Sequence, residues 1–210
     1  MKCLPEDRYQ ARLFTVFLLF FAGSCISPPY LQYLLMQHVP TVLSVLLLLY
    51  LSNRIVISRL SFTLIIVFLA MHTLGARYLY SYVPYDAWSQ YLLNVSISET
   101  FGFERNHYDR LVHFSYGQLL VIPMQEFEVR YLRLSNVLAS VLAVEFIVAT
   151  GAGYEMIEWL IAVFFAPDWS EQFLGQQGDA FDAQKDMALA TMGAVIAILL
   201  QTVRRQRLSD

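Results

Sequence analysis

Charge is scarce in this chain. Lys, Arg, Asp and Glu make up 15% of its 210 residues, where a soluble globular domain carries about 25%. The net charge is only −3, and no basic stripe lies away from the ends of the apolar runs, so nothing points to a nucleic-acid partner. Linker composition is missing as well. No run rich in Ser, Gly or Pro divides the sequence, and residues 1–210 read as a single integral-membrane domain. Cysteine is limited to Cys3 and Cys25. Two are too few for a disulfide framework, and these two flank one apolar run, so a bridge would have to join opposite sides of a bilayer. A cleavable leader is not indicated either. Basic residues precede the first apolar run, but no small-x-small site closes it, and Pro28-Pro29 leads straight into another run. That first run is expected to stay as an anchor.

What the chain has is hydrocarbon. It is 57% hydrophobic, with a mean hydropathy of +0.49. Crossing a bilayer takes roughly 20 mainly apolar residues in a helix. Six segments qualify: 11–27, 30–52, 60–80, 111–124, 134–165 and 186–203. The fourth is short unless Asp109 and Arg110 belong to its first turn. The fifth is longer than a bilayer is thick at about 1.5 Å per residue, and must tilt, kink near Gly151/Gly153 or project. The expected fold is all-α, a polytopic bundle of about six transmembrane helices.

Basic residues give the orientation, because short loops rich in Lys and Arg stay in the cytoplasm. Lys2, Arg8 and Arg12 precede the first segment, Arg54 and Arg59 follow the second, Arg130 and Arg133 follow the fourth, and Arg204, Arg205 and Arg207 follow the sixth. The alternate loops are uncharged or acidic. Both termini are therefore expected in the cytoplasm of a bacterial cell, with the chain in its inner (plasma) membrane and lipid as its surroundings. The sequence names no protein partner.

This orientation gathers polar residues from distant parts of the chain at one depth. The stretch "ERNHYDRLVHFSYGQLL" (104–120) puts Asp109 and His113 one turn apart at the outer end of the fourth segment. Glu155 and Glu158 share a face near the outer end of the fifth. Asp179, Asp182 and Asp186 lead into the sixth from the same side, and Arg77, near the outer end of the third, is within reach of the layer. Carboxylates so close repel one another unless a cation sits among them. One imidazole and several carboxylates suit Mg²⁺, Mn²⁺ or Zn²⁺. Asp109, His113, Asp179 and Asp186 are the candidate ligands. Glu155, Glu158 and Asp182 are the candidate catalytic groups, one of them as general base. Hydrolysis or transfer at a lipid headgroup or lipid-linked phosphate is the reaction such an address would serve.

Each group has a plainer role open to it. Asp109 and His113 can simply start a helix, Asp182 can be a helix cap, and Glu158 beside Trp159 can sit in the interfacial aromatic belt. Glu99, Glu104, Asp168 and Glu171 read as loop solvation. Glu145 and His72 fall near mid-bilayer on different segments, where a lone carboxylate costs about 2.5–3.5 kcal/mol on insertion scales. They read as a hydrogen-bonded pair between helices or, in the alternative function, as the path of a small ion- or proton-coupled transporter. A non-catalytic accessory role is the third reading.

Three blocks, "RNHYDRLVHFSYG" (105–117), "GYEMIEWL" (153–160) and "FLGQQGDAFDAQKDMALATMGA" (173–194), resemble the signature blocks of the YjdF-like bacterial inner-membrane proteins. Gln176, Phe181 and Lys185 depart from that pattern, and Lys185 beside Asp186 would neutralise charge a metal wants. The order of the acidic blocks is similar, more loosely, to VanZ-like membrane proteins. The resemblance implies a polytopic helical fold in the cell envelope and weight on these polar residues, and it names no reaction.

Overall fold

A computed structural model of the protein describes residues 4–165, 168 and 170–207; Lys2 and Cys3 lie outside them. Nine helices and no strand occur among the described residues. In chain order they are α1 (Arg8–Ser24), α2 (Leu31–Ser52), α3 (Arg59–Arg77), α4 (Tyr85–Leu93), α5 (Ile97–Phe101), α6 (Tyr108–Tyr131), α7 (Asn136–Phe165), α8 (Ser170–Phe173) and α9 (Asp182–Arg207).

Local chemistry sets several of the helix starts. Asp7 caps α1, accepting from the amides of Tyr9 and Gln10, and Ser58 caps α3 through the Ser61 amide. Such caps satisfy amides that the helix cannot. Asn106 serves α6 in a similar way, its Oδ1 accepting from the Tyr108 amide at 3.0 Å. The last helix ends on Arg204, Arg205 and Arg207, cations placed where the helix dipole is negative.

The long helices alternate in direction, so their ends sort into two groups. Arg59 pairs with Asp7, Val56 bonds Tyr131 and Arg205 bonds Asn136, which gathers the starts of α1, α3 and α7 with the ends of α2, α6 and α9. This is the basic end of the bundle. At the other, Arg77 donates to backbone carbonyls of the α1–α2 turn and Arg105 binds Asp182. This is the acidic end, and the three candidate groups, Asp109 with His113, Glu155 with Glu158, and Asp179, Asp182 and Asp186, lie there.

At the centre is α6, packed against α3, α7 and α9. Its contact with α9 is the tightest in the molecule because both helices present glycine. A Cβ on Gly117 would lie 1.7 Å from the Ala190 carbonyl oxygen, and one on Gly193 would lie 2.2 Å from the Phe114 carbonyl oxygen. Ala190, Ala194 and Ala197 continue the seam, closed by Val121 of α6 and by Ala143 and Ile147 of α7. Small residues are what allow membrane helices to approach this closely. A second core, of Phe14, Phe17, Leu48, Phe62, Ile66 and Leu69, joins α1, α2 and α3.

Four helices, α2, α3, α7 and α9, are long and apolar enough to cross a membrane, where the sequence suggested six. The other two of the six form as helices but differ in kind. At 17 residues, α1 is short, whereas α6 has 24 residues and carries Asp109, Arg110, Glu126, Glu128 and Arg130. Helices on three sides shield α6, so its surface has less need to be apolar. Its first turn includes Asp109 and Arg110, which lengthens the segment read as 111–124. The fifth segment is one uninterrupted 30-residue helix, α7. Between α3 and α6 the sequence suggested only a loop. Instead α4 and α5 form there, tied together by Asp86, which accepts from the Ser98 amide at 2.8 Å and the Ser98 hydroxyl at 2.6 Å.

Candidate metal centre

The α6–α9 seam determines what meets at the acidic end. One turn before Gly117 on α6 stands His113, and one turn before that Asp109. One turn before Ala190 on α9 stands Asp186, and one turn before that Asp182. The four-residue steps keep each set on one face of its helix, so the close crossing carries both sets to a common layer. The acidic end of α7 contributes Glu155 and Glu158.

His113 is the hub. Its Nε2 lies 3.5 Å from Asp109 Oδ1 and 3.4 Å from Glu155 Oε1. Asp109, His113 and Asp186 each offer one ligand atom within 4.8 Å of the others, and so do His113, Glu155 and Glu158. All are buried or nearly so. Asp186 is 2% exposed and Asp182 1%. Asp186 Oδ1, Asp182 Oδ2 and Glu155 Oε1 are buried with no hydrogen-bond partner. A buried carboxylate oxygen without a donor is costly, and here several share one small volume. One imidazole and two carboxylates, with further acids beside them, form a donor set that fits a hard or borderline divalent ion.

Asp182 and Asp179 have other company. Arg105 donates to Asp182 Oδ1 at 2.8 Å, and to the carbonyls of Gln176 and Gly175 at 2.6 and 2.7 Å. Arg110 reaches Asp182 Oδ1 at 3.2 Å and also binds Asp179. Lys185 Nζ lies 2.6 Å from Asp179 Oδ2, so it turns to Asp179 rather than Asp186. These bonds fasten the 174–181 loop over the cluster. Gly175, at φ +73°, leaves no room for a side chain: a Cβ there would be 2.5 Å from Asp109 Oδ2. The Asp179 carboxyl is held at about 2, below its ordinary 3.8, first by the bonded Lys185 ammonium, with the Phe181 amide and Arg110 adding to it. Asp182 is the first residue of α9 rather than its cap.

The remaining candidates lie apart. Arg77 binds the carbonyls of Ile26 and Ser27, away from the acids. Glu145 is exposed on the outside of α7. His72 is buried and fully engaged: Nε2 faces the Gln37 carbonyl at 3.2 Å, and Nδ1 meets the Tyr80 hydroxyl. A carbonyl can only accept, so Nε2 carries the proton and Nδ1 accepts from Tyr80. No His72–Glu145 pair forms. Glu99, Glu104, Asp168 and Glu171 are exposed, though Glu99 and Glu171 stand in the short helices α5 and α8 rather than in loops, whereas Glu158 is buried rather than standing in an interfacial belt. Cys25 is free and exposed.

Sequence reasoning gave little weight to Arg105, Arg110 and the glycines at 117, 175 and 193. A usable signal existed for the seam. Asp182, Asp186, Ala190 and Ala194 repeat at four-residue steps, as do Asp109, His113, Gly117 and Val121. An acidic stripe that runs on into a small-residue stripe predicts close helix contact at the acids.

Residues 9–207 match the family described as predicted membrane protein (DUF2238). The chain is 32% identical over 167 residues to the inner membrane protein YjdF of Escherichia coli (strain K12), an alignment covering 79% of this chain and 75% of that protein. No solved structure matches. With the family match spanning nearly the whole chain, and four helices fit to cross a bilayer, the chain belongs to this family of membrane proteins and lies in the bacterial inner membrane.

Proposed function

We propose that Asp109, His113 and Asp186 hold a divalent cation, Mg²⁺, Mn²⁺ or Zn²⁺, and that the protein hydrolyses or transfers phosphate on a lipid or lipid-linked substrate. The observation that carries this reading is the set of buried carboxylate oxygens without donors, Asp186 Oδ1 and Glu155 Oε1 beside His113. Only a cation or protonation offsets such a cluster, and ligand atoms within 4.8 Å of one another are close enough to share one ion. The reading takes the whole chain as one membrane unit of six spans, α1, α2, α3, α6, α7 and α9. Both termini are cytoplasmic, because most of the arginines gather at one end, all but Arg77, Arg105 and Arg110. The acidic end then faces outward, at the depth of the outer lipid headgroups.

The division of labour follows from the contacts. When bound, the cation polarises a phosphoryl oxygen. Glu155, whose Oε1 accepts no hydrogen bond and lies 3.4 Å from His113 Nε2, takes the proton of the attacking water or alcohol. The new P–O bond forms to that oxygen, and the bond to the leaving group breaks. Glu158 returns a proton to the leaving oxygen. Asp182 keeps Arg105 and Arg110 in place, and Asp179 with Lys185 ties down the loop above, so both are positioning residues in this scheme.

The test is phosphate release by detergent-purified protein from phosphatidic acid and from a polyprenyl diphosphate, with each metal supplied in turn. Turnover should stop on chelation and in His113→Ala and Asp186→Asn. It should fall by about 10²–10⁴-fold in Glu155→Gln, and should survive Glu145→Gln. Turnover indifferent to chelator and to both ligand variants, or none with any metal, contradicts the proposal. Damage by Glu145→Gln equal to that by His113→Ala would favour transport.

A further inference from the structure

Behind the acidic cluster the bundle is not closed. A cavity of about 200 Å³ begins at Asp109, His113 and Glu158 and continues among apolar side chains. A second, of about 370 Å³, runs on to the basic end, where Val56, Glu126 and Tyr131 line it. Ser44, Phe68, Leu69 and Leu120 line both. The four shared residues set the two cavities end to end, a groove in two parts. Along α2 it extends from Pro40 to Leu51, about 16 Å at 1.5 Å per residue, or roughly half of a 30 Å hydrocarbon core.

Its floor is α3 and α6, and its mouth lies between α2 and α7. Those two helices pack together at the acidic end through Tyr33, Ala162 and Phe173; along the rest of its length α2 leans on α3. Ser44 and Phe146, both exposed, stand at the opening.

We infer that this groove seats a hydrocarbon chain of a lipid that enters sideways between α2 and α7. Its head-outward orientation rests on the reading of the cluster as a phosphate site. The groove has the acid and histidine cluster at one end, mainly apolar walls along its length and an opening on the side of the bundle; Glu126 at its far end is taken up by Ser58, Ser61 and Arg130. Ligand sites combine an apolar body with a few polar groups that fix orientation in this way. The mouth faces the bilayer interior, where hydrocarbon is the solvent. A free phosphate or a small soluble ester would use only the polar end, and the groove beyond Leu69 would offer it nothing.

The probe is phosphatidic acid carrying a diazirine at the tip of one acyl chain, in vesicles of phosphatidylethanolamine and phosphatidylglycerol holding the full chain. Labelled residues are read by peptide mass spectrometry. The expected result is labelling of α6 between Leu120 and Phe127, inside the bundle, together with outward residues of α2 such as Leu43 and Leu46. Gly151→Leu should fill the groove, since a Cβ at 151 meets nothing nearer than Tyr116 at 3.9 Å. Ser44→Phe should obstruct the same passage from α2. Each is expected to lower the α6 labelling at least tenfold while the α2 labelling persists. Absence of α6 labelling in the wild type, or its persistence in both variants, overturns the inference. A diacylglycerol with the same chain separates the two ideas. If both probes label α6 equally in wild type and in His113→Ala, the chain seat stands and the phosphate reading fails.

Discussion

Helix α6 carries a polar cluster at each end, and the two are completed differently. At the basic end, Glu126 accepts from the Ser58 amide at 3.1 Å, the Ser58 hydroxyl at 2.6 Å and the Ser61 hydroxyl, and it pairs with Arg130 at 3.0 Å. Beside it Gln125 donates to Ser140, and Arg205 bridges Gln125 and Asn136. The acid there faces donors on several sides. At the acidic end, carboxylates gather around one imidazole, and oxygens of Asp186, Glu155 and Asp182 find no donor. Glu128, near the basic end, also leaves Oε2 unmatched, but it belongs to no group of potential ligands among the described residues. A carboxylate ringed by donors holds helices together, and its task is complete. Carboxylates that face one another need something further, a proton or, in the reading proposed above, a cation.

The difference can be broken most severely at Asp182. Asp182→Ala leaves Arg105 and Arg110 without their shared buried acceptor, and removing one member of a buried ion pair costs about 3–5 kcal/mol. Thermal unfolding in detergent should show the largest loss in this variant, whatever the metal content. The seam ranks next. Gly117→Ala would gain up to about 1 kcal/mol from helix propensity alone, yet its methyl meets the Ala190 carbonyl. Overpacking of this kind costs about 1–3 kcal/mol, so the variant should melt below the wild type. Substitution of the two carboxylates by their amides then sets the ends against each other. Glu126→Gln should destabilise by about 1–2 kcal/mol through lost charge-assisted bonds. Asp186→Asn should leave the metal-free protein as stable or more so, because it relieves repulsion. Equal destabilisation by both would erase the contrast.

The smallest effect belongs to Asp179. Its carboxyl is held at about 2 against an ordinary 3.8, so the folded state binds its proton less readily than the unfolded chain. Its contribution is therefore complete above pH 3.8 and is lost as pH falls towards 2. Between pH 5 and 8 the melting difference between wild type and Asp179→Asn should be flat. Below pH 3.8 it should shrink.

Much of this arrangement is legible in the residues. The helices follow from apolar run length, and the sorting of the ends follows from the placement of arginine. That Asp109, His113, Glu155, Glu158 and Asp186 lie at one depth follows from alternating helix direction, and spacings of three or four residues set each pair on one face; that the pairs meet depends on packing. The rest depends on who packs against whom. Hydropathy describes α6 poorly because its neighbours, rather than its own surface, shield it from lipid. The sequence suggests a similar depth for His72 and Glu145, but it gives no angle around either helix axis: His72 turns inward to Gln37 and Tyr80, whereas Glu145 is exposed. Asp179 is in the right layer, yet Lys185, six residues on, and Arg110, far away in sequence, reach it first. The α4–α5 pair is not legible in hydropathy, because its turns are set by Asp86 bonding across to Ser96 and Ser98.

The central claim is that the acidic end is a cation site and the basic end is not. The most direct measurement is elemental analysis of detergent-purified protein, with wild type beside His113→Ala, Asp186→Asn and Glu126→Gln. The account predicts about one divalent ion per chain in the wild type and in Glu126→Gln, lost from both acidic-end variants. Metal retained in those two variants, or none in the wild type after supplementation with Mg²⁺, Mn²⁺ and Zn²⁺, would contradict it.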